Sequence, residues 1–360
     1  MIAIVSTGEG IAGLLKKLVP LVAALTVFAS SAAAEIKPFC SGLITRDGLP
    51  PASMPFIDSI VVMVNWNDLE SFANQFSGKG WQEIEHARTL GKKIRLRVMA
   101  GVHAPYFVKA IGNVRTADLN RGVKLNCVSS GVAVWNEHDK TGGFIPLFWR
   151  DDVLDRYEML MKEIALRYED APEIVEVVDT ACMTLYAEPF YRAHADRDSN
   201  KRLWDAGLTF EKDKAAHERA IRIHDKYFKK TRTSLAVNPW DIIDGSPTHH
   251  SNSFTPTYEF AQWARALMGE RLVLQNNGTG VDAGCRGGTP SSQHFCYLAW
   301  VKGPKGFQTR TAQRLGGEAG LWKTIDTALG MGANFIELPQ GFQQYSIERL
   351  KEYDRLLETR

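Results

Sequence analysis

Near the middle of the chain a long apolar run ends abruptly in an acid: it opens at Ile174 and closes on Tyr186-Ala187-Glu188-Pro189. The β-branched stretch predicts a buried strand, and Pro189, which cannot donate a ladder hydrogen bond, predicts that Glu188 stands at its C-terminal edge. A carboxyl group with so apolar an approach suits proton transfer, because loss of water raises its pKa towards neutrality. The alternative is a salt-bridged acid at a strand end; the apolar approach and the proline favour chemistry. A second acid, Glu337, closes the apolar stretch 333–338, and is either the partner of Glu188 or simply an ion-pair partner of Arg97 or Arg310. Glu318, in Gly316-Gly-Glu-Ala-Gly320, and Asp179 are reserve acids.

Other predicted strand ends collect polar and aromatic residues: Asn65-Trp66, Arg97 and His103, Tyr186, Asn238 and Trp240, Asn276-Asn277, and Gln308 with Arg310. Acids that move protons, amides that hold hydroxyls and flat rings that lie against pyranose faces are what sugar chemistry asks for. Each has a plainer reading. Trp66 and Trp240 are sugar platforms or core, and Asn238 and Asn276-Asn277 are ligands or turn-formers. His249-His250 and His294 lie in polar loops without metal-ligand spacing, no G-x-G-x-x-G follows a strand, and there is no Walker A motif, so no metal or cofactor is expected.

These residues need a scaffold that brings distant segments to one rim. Strands are predicted at 42–44, 59–66, 94–101, 174–188, 234–238, 272–276, 306–309 and 333–338. Helices are predicted at 81–90, 151–168, 215–228, 258–268, 321–329 and 347–357; the second carries acids in its first turn and an apolar stripe Leu154, Tyr157, Met161, Ile164, Ala165, Tyr168. Repeated βα units in this number predict an α/β fold, a single-domain (β/α)8 TIM barrel over residues 35–360, in preference to a doubly wound sheet. Segments leaving strands (102–149, 189–211, 239–257, 278–295) are long and most segments entering them are short, which places the elaborated face at the strands' C-terminal ends. Arg97 alternates with Leu96 and Val98, so it points into the barrel or its mouth, where it needs a carboxylate partner.

The 360 residues carry a net charge of +2 with acids and bases interspersed, which argues against nucleic acid or an anionic membrane as partner and for a neutral one. Lys16 and Lys17 precede an apolar stretch at 18–29, and Ser-Ser-Ala-Ala-Ala34 supplies small residues, the pattern of a signal peptide over 1–34. The expectation is a secreted or periplasmic protein with no membrane attachment after cleavage; oligomeric state is open. In an exported chain Cys285 and Cys296, flanking a Gly/Ser/Pro-rich loop, are expected to form a disulfide, with Cys40–Cys127 a weaker second pair; Cys182 reads as a small buried hydrophobe.

From Asn65 to Pro339 the chain resembles the superfamily of TIM-barrel glycoside hydrolases related to β-galactosidases and cellulases. The resemblance rests on Val64-Asn-Trp66-Asn-Asp68-Leu-Glu70 with Trp81-x-x-Ile84, Leu96-Arg97-Val-x-Ala100-Gly101-x-His103-Ala-Pro105, Tyr186-Ala-Glu188-Pro189 and Ile336-Glu337-Leu-Pro339. It implies a hydrolase acting on an oligo- or polysaccharide, with Glu188 as general acid/base and Glu337 as nucleophile or base. Where the superfamily usually has Asn-Glu this chain has Ala187-Glu188, and the seventh strand, on which retaining members carry the nucleophile, holds no acid. A carbohydrate-binding barrel without catalysis is therefore the alternative.

Overall fold

Eight parallel strands close on themselves in the computed structural model, which describes residues 35–46, 48–113, 130–136, 139–192, 197–243 and 250–360. They are β1 (Gly42–Thr45), β2 (Ser59–Asn65), β3 (Lys93–Met99), β4 (Ile174–Val178), β5 (Arg232–Ala236), β6 (Leu272–Thr279), β7 (Lys305–Thr309) and β8 (Phe335–Glu337). Each pairs with its neighbours in sequence order. β1 closes the ring, with Ile44 opposite Ser59 of β2 and opposite Glu337 of β8. This is the expected (β/α)8 barrel, and Ile36–Arg360 forms one compact unit. Residues 1–34, where the sequence predicts a signal peptide, lie outside the described residues.

The outer helices bury the stripes their periodicity predicts. Asp151–Tyr168 has the predicted bounds and buries Leu154, Tyr157, Met161, Ile164 and Tyr168, while Asp151 and Asp152 stand where the helix dipole favours negative charge. The last helix, Ile347–Glu358, returns to the first strand: Asp354 accepts a hydrogen bond from the Leu43 amide at 2.7 Å. Gly42 makes this approach possible, since a Cβ there would stand 2.5 Å from the Asp354 carboxylate and its φ is +78°.

Barrel interiors are commonly filled by branched aliphatic side chains. Here much of the interior is charged. Arg95 donates to Glu176 (2.9 and 2.5 Å), to Glu337 (2.8 Å), to Ser234 (2.8 Å) and to Gln275, and Arg97 donates to both oxygens of Glu337 at 2.7 and 3.0 Å. Arg97 thus has the carboxylate partner its inward direction demands. Gly306 makes room for this layer: a Cβ there would lie 2.2 Å from the ring of Phe335, over which the Arg95 guanidinium stacks at 4.0 Å.

The fourth strand differs from expectation. It stops at Val178, and the apolar residues beyond it form a loop in which Ala181, Cys182, Met183, Leu185 and Ala187 are buried. Their hydrophobicity reflects burial under neighbouring segments; a strand of fifteen residues would also be far longer than the usual five or six. The sequence reading also missed two antiparallel hairpins within the long loops: Val132–Asn136 with Thr141–Ile145 after β3, and Trp240–Ile243 with His250–Ser253 after β5.

Cys285 and Cys296 are bridged, with Cα atoms 4.4 Å apart. Cys40 and Cys182 are buried free thiols, so the second pairing is not made, and Cys127 lies outside the described residues. Closing a loop of this size removes roughly 3 kcal/mol of unfolded-chain entropy. Reduction, or Cys296→Ser, is expected to cost about that much and to raise amide exchange in 280–296 well above that of the β-strands; uniform exchange throughout would contradict it. No helix among the described residues is long and apolar enough to cross a membrane.

Candidate active site

A cavity of about 460 Å³ opens at the C-terminal ends of the strands. Its walls come from the ends of β1 (Arg46), β6 (Asn277) and β7 (Gln308–Arg310), from the loop after β4 (Tyr186, Glu188, Tyr191), and from the hairpin after β3 (Asn136, Asp139). Of the residues singled out in the sequence, Tyr186, Glu188, Asn277, Gln308 and Arg310 meet here.

Glu188 stands ten residues past the end of β4 and is placed by a folded loop. That loop crosses the end of β3, where Gly101 has no Cβ to oppose it: one would lie 2.0 Å from the Thr184 carbonyl. Val102 N–H donates to Thr184 O at 3.1 Å, and the Thr184 hydroxyl donates to Tyr191 O at 3.0 Å. Arg192 ties the far side. Wholly buried, it donates to the carbonyls of Cys182 (2.9 Å), Pro189 (2.5 Å) and Tyr191 (3.1 Å), is paired with Asp213 at 2.6 Å, and gives its amide to Asp241 at 2.9 Å. On the near side Asn277 donates to Ala187 O at 3.0 Å, and Asn238 fixes Asn277 by exchanging two hydrogen bonds with its backbone.

The Glu188 carboxyl makes no hydrogen bond with any described residue. Burial pushes its pKa up to about 7; the charge of Asp241 adds to the rise and that of Arg97 opposes it. Around it lie hydrogen-bonding groups. Asn136 donates to the hydroxyls of Tyr186 (3.2 Å) and Tyr191 (3.0 Å), and Tyr186 donates to Asp139, which also accepts from Arg314 at 3.0 Å. Burial, with Asp139 beside it, raises the Tyr186 phenol pKa, and burial with the charge of Asp241 raises that of Tyr191 to about 12, so both rings enter the site as neutral hydroxyls. The Gln308 carboxamide faces the cavity with no hydrogen-bond partner among the described residues.

Glu337 is placed differently. It is fully buried, does not line the cavity, and has both oxygens engaged by arginine. Burial alone would raise its pKa, but the charges of Arg97 and Arg95 hold it at about 2. Trp66 and Trp240 are core residues: both are buried, with indole N–H groups committed to Glu70 (3.0 Å) and Asp213 (2.9 Å). Neither presents a face to a sugar, which corrects the platform reading. Asn276 is likewise buried and accepts from the Thr279 hydroxyl, so it is structural. Asn65 bonds Asp68, and neither it nor His103 is among the cavity-lining residues; Asn238 acts on the site through Asn277. Of the reserve acids, Asp179 is buried against His224 outside the cavity, and Glu318 receives the Ser346 amide on the surface.

The sequence reading missed Asn136, Asp139, Tyr191 and Arg314. The pattern Val-Ala-Val-Trp-Asn followed by Thr-Gly-Gly-Phe-Ile marks a hairpin whose turn residues can reach back over the rim.

No family model matches the chain, and no curated protein does. Among solved structures it is similar to the catalytic domain of a β-amylase from Paenibacillus polymyxa (12% identity, 88% of this chain and 100% of that one, TM-score 0.48). It is also similar to an exo-β-1,4-mannosidase from an Opitutaceae bacterium (9%, 90% and 61%, TM-score 0.47) and to a morphinone reductase (14%, 88% and 86%, TM-score 0.42). At these scores the likenesses carry no argument about chemistry.

Proposed function

We propose that the protein is an exported glycoside hydrolase with Glu188 as its general acid. The observation that carries this reading is the Glu188 carboxyl itself: it lines the cavity, has no hydrogen-bond partner among the described residues, and its pKa is pushed up to about 7 by burial. Such a group can hand a proton to a departing glycosidic oxygen at neutral pH and take one from water afterwards. Tyr186, Tyr191, Asn277 and Gln308 supply donors and acceptors for sugar hydroxyls. Export rests on the signal-like segment at 1–34 together with the Cys285–Cys296 bridge, since disulfides persist in oxidising compartments.

The second carboxylate on this reading is Asp139, the other acid among the described lining residues, its orientation fixed by Tyr186 and Arg314. It serves as nucleophile if about 5 Å from Glu188, or as base to an intervening water at about 6.5–9.5 Å. Glu337 then has a supporting role, balancing Arg97 and Arg95 beneath the floor. Screening aryl glycosides and polysaccharides against wild type and Asp139→Asn tests both halves. At least one substrate should be cleaved, and the variant should lose roughly 10²-fold or more in turnover. A loss in Asp139→Asn of under threefold would return the second role to Glu337.

One observation favours a second reading, a saccharide-binding barrel without catalysis: the acid at the end of β8 is locked by two arginines and absent from the cavity. Saccharide binding with no cleavage of any substrate by wild type would decide for it.

A further inference from the structure

The cavity walls are richer in arginine than a neutral sugar requires. Neutral pyranoses are held by amides and hydroxyls and by flat apolar rings against their faces. The described lining residues include no tryptophan, and three of them, Arg46, Arg310 and Arg314, are arginines. Among the described lining residues only two, Asp139 and Glu188, carry carboxyl groups, and burial pushes the Glu188 pKa up to about 7.

Two of the guanidiniums are held rigidly. Arg310 donates through Nε to Gly278 O at 2.9 Å and is paired with Asp282, a residue outside the cavity lining, at 2.8 Å. Arg46 donates through Nη1 to Thr309 O at 2.8 Å. Arg314 is the most available: it gives one Nη2 bond to Asp139, while its Nε and Nη1 have no partner among the described residues, and its side chain is 48% exposed. A guanidinium has five N–H donors in a planar fork that matches the oxygens of a carboxylate or sulfate. Pre-oriented forks at one rim serve such an anion better than they serve a hydroxyl.

We propose that the saccharide taken by this cavity is anionic, carrying a carboxylate or a sulfate ester that docks against Arg314 with Arg310 and Arg46 behind it. This rests on the reading of the cavity as a saccharide site and names its substrate class. The Glu188→Gln protein, which holds a substrate without consuming it, allows a calorimetric test with size-matched oligosaccharides of three kinds: neutral, uronate-containing and sulfated. At least one anionic series should bind roughly 10-fold or more tighter than the neutral one, with the advantage shrinking as salt is raised. Which series wins identifies the anion. Adding Arg314→Gln should remove most of that advantage. Neutral oligosaccharides binding as tightly as both anionic series, or an anionic advantage that survives Arg314→Gln together with Arg310→Gln, would overturn the inference while leaving the saccharide reading in place. Binding of none of the three would overturn both.

Discussion

Replacing Glu188 with glutamine is expected to lower turnover by about 10²–10⁴-fold while saccharide binding persists. Glutamine keeps the size of the side chain and removes the transferable proton. Substrates with good leaving groups need that proton least and should be spared most, whereas Asp139→Asn should impair good and poor leaving groups alike, because no substrate can bypass attack on the anomeric carbon. The wild-type rate should fall as pH rises through about 7, where Glu188 loses its proton, and this limb should vanish in the variant. Stability supplies the control. An unfolded glutamate ionises near 4.5 and the folded Glu188 near 7, so the folded state gains from holding the proton below 4.5 and loses that gain as pH rises through 7. The loss is at most about 3 kcal/mol, and glutamine escapes it. Glu188→Gln should therefore melt no lower than wild type at pH 8. Equal, small losses of turnover across all leaving groups would mean that Glu188 is not the acid.

The second large effect concerns folding. Glu337→Gln removes the negative charge between Arg97 and Arg95 in a fully buried layer, and stranding buried charge in this way costs about 3–5 kcal/mol, a large part of a typical domain's 5–15. Removing the whole pair is milder: Arg97→Met with Glu337→Met leaves Arg95 still matched by Glu176, so the double variant should recover much of the loss. Because burial is outweighed by the two arginines and Glu337 ionises near pH 2, this contribution is complete above about 4.5 and fades as pH falls through 2. Denaturant titrations of the single and double variants at pH 7 measure it. A Glu337→Gln protein within about 1 kcal/mol of wild type would show the network to be energetically idle.

Much of the scaffold is legible in sequence because most barrel strands are short apolar runs, and most of them are separated by helices whose 3.6-residue stripes are plain. The helix Asp151–Tyr168 has the bounds its pattern predicts, and Arg97 could be assigned a buried carboxylate from alternation alone. Glu188 was visible as an acid beyond an apolar run, but the run is a strand plus a buried loop, two structures that look the same to hydropathy. The indoles of Trp66 and Trp240 misled for a related reason: composition shows an amphipathic ring and not whether its N–H is already spent on Glu70 or Asp213. Asp139 and Arg314 were the least accessible. Their meaning depends on a hairpin after β3 meeting a short helix after β7, and no local pattern records that contact.

The clasp between β1 and β8 sets a schedule. As the chain is made, β1 finds β2 at once, but its other edge waits for Phe335–Glu337, and the Leu43 amide waits for Asp354. An edge left open until β8 has been made is a template for wrong pairing. The same delay means that no shorter stretch from the start of the barrel can shut on itself. Closure therefore comes only after the six strands between β1 and β8, with their intervening helices, have emerged.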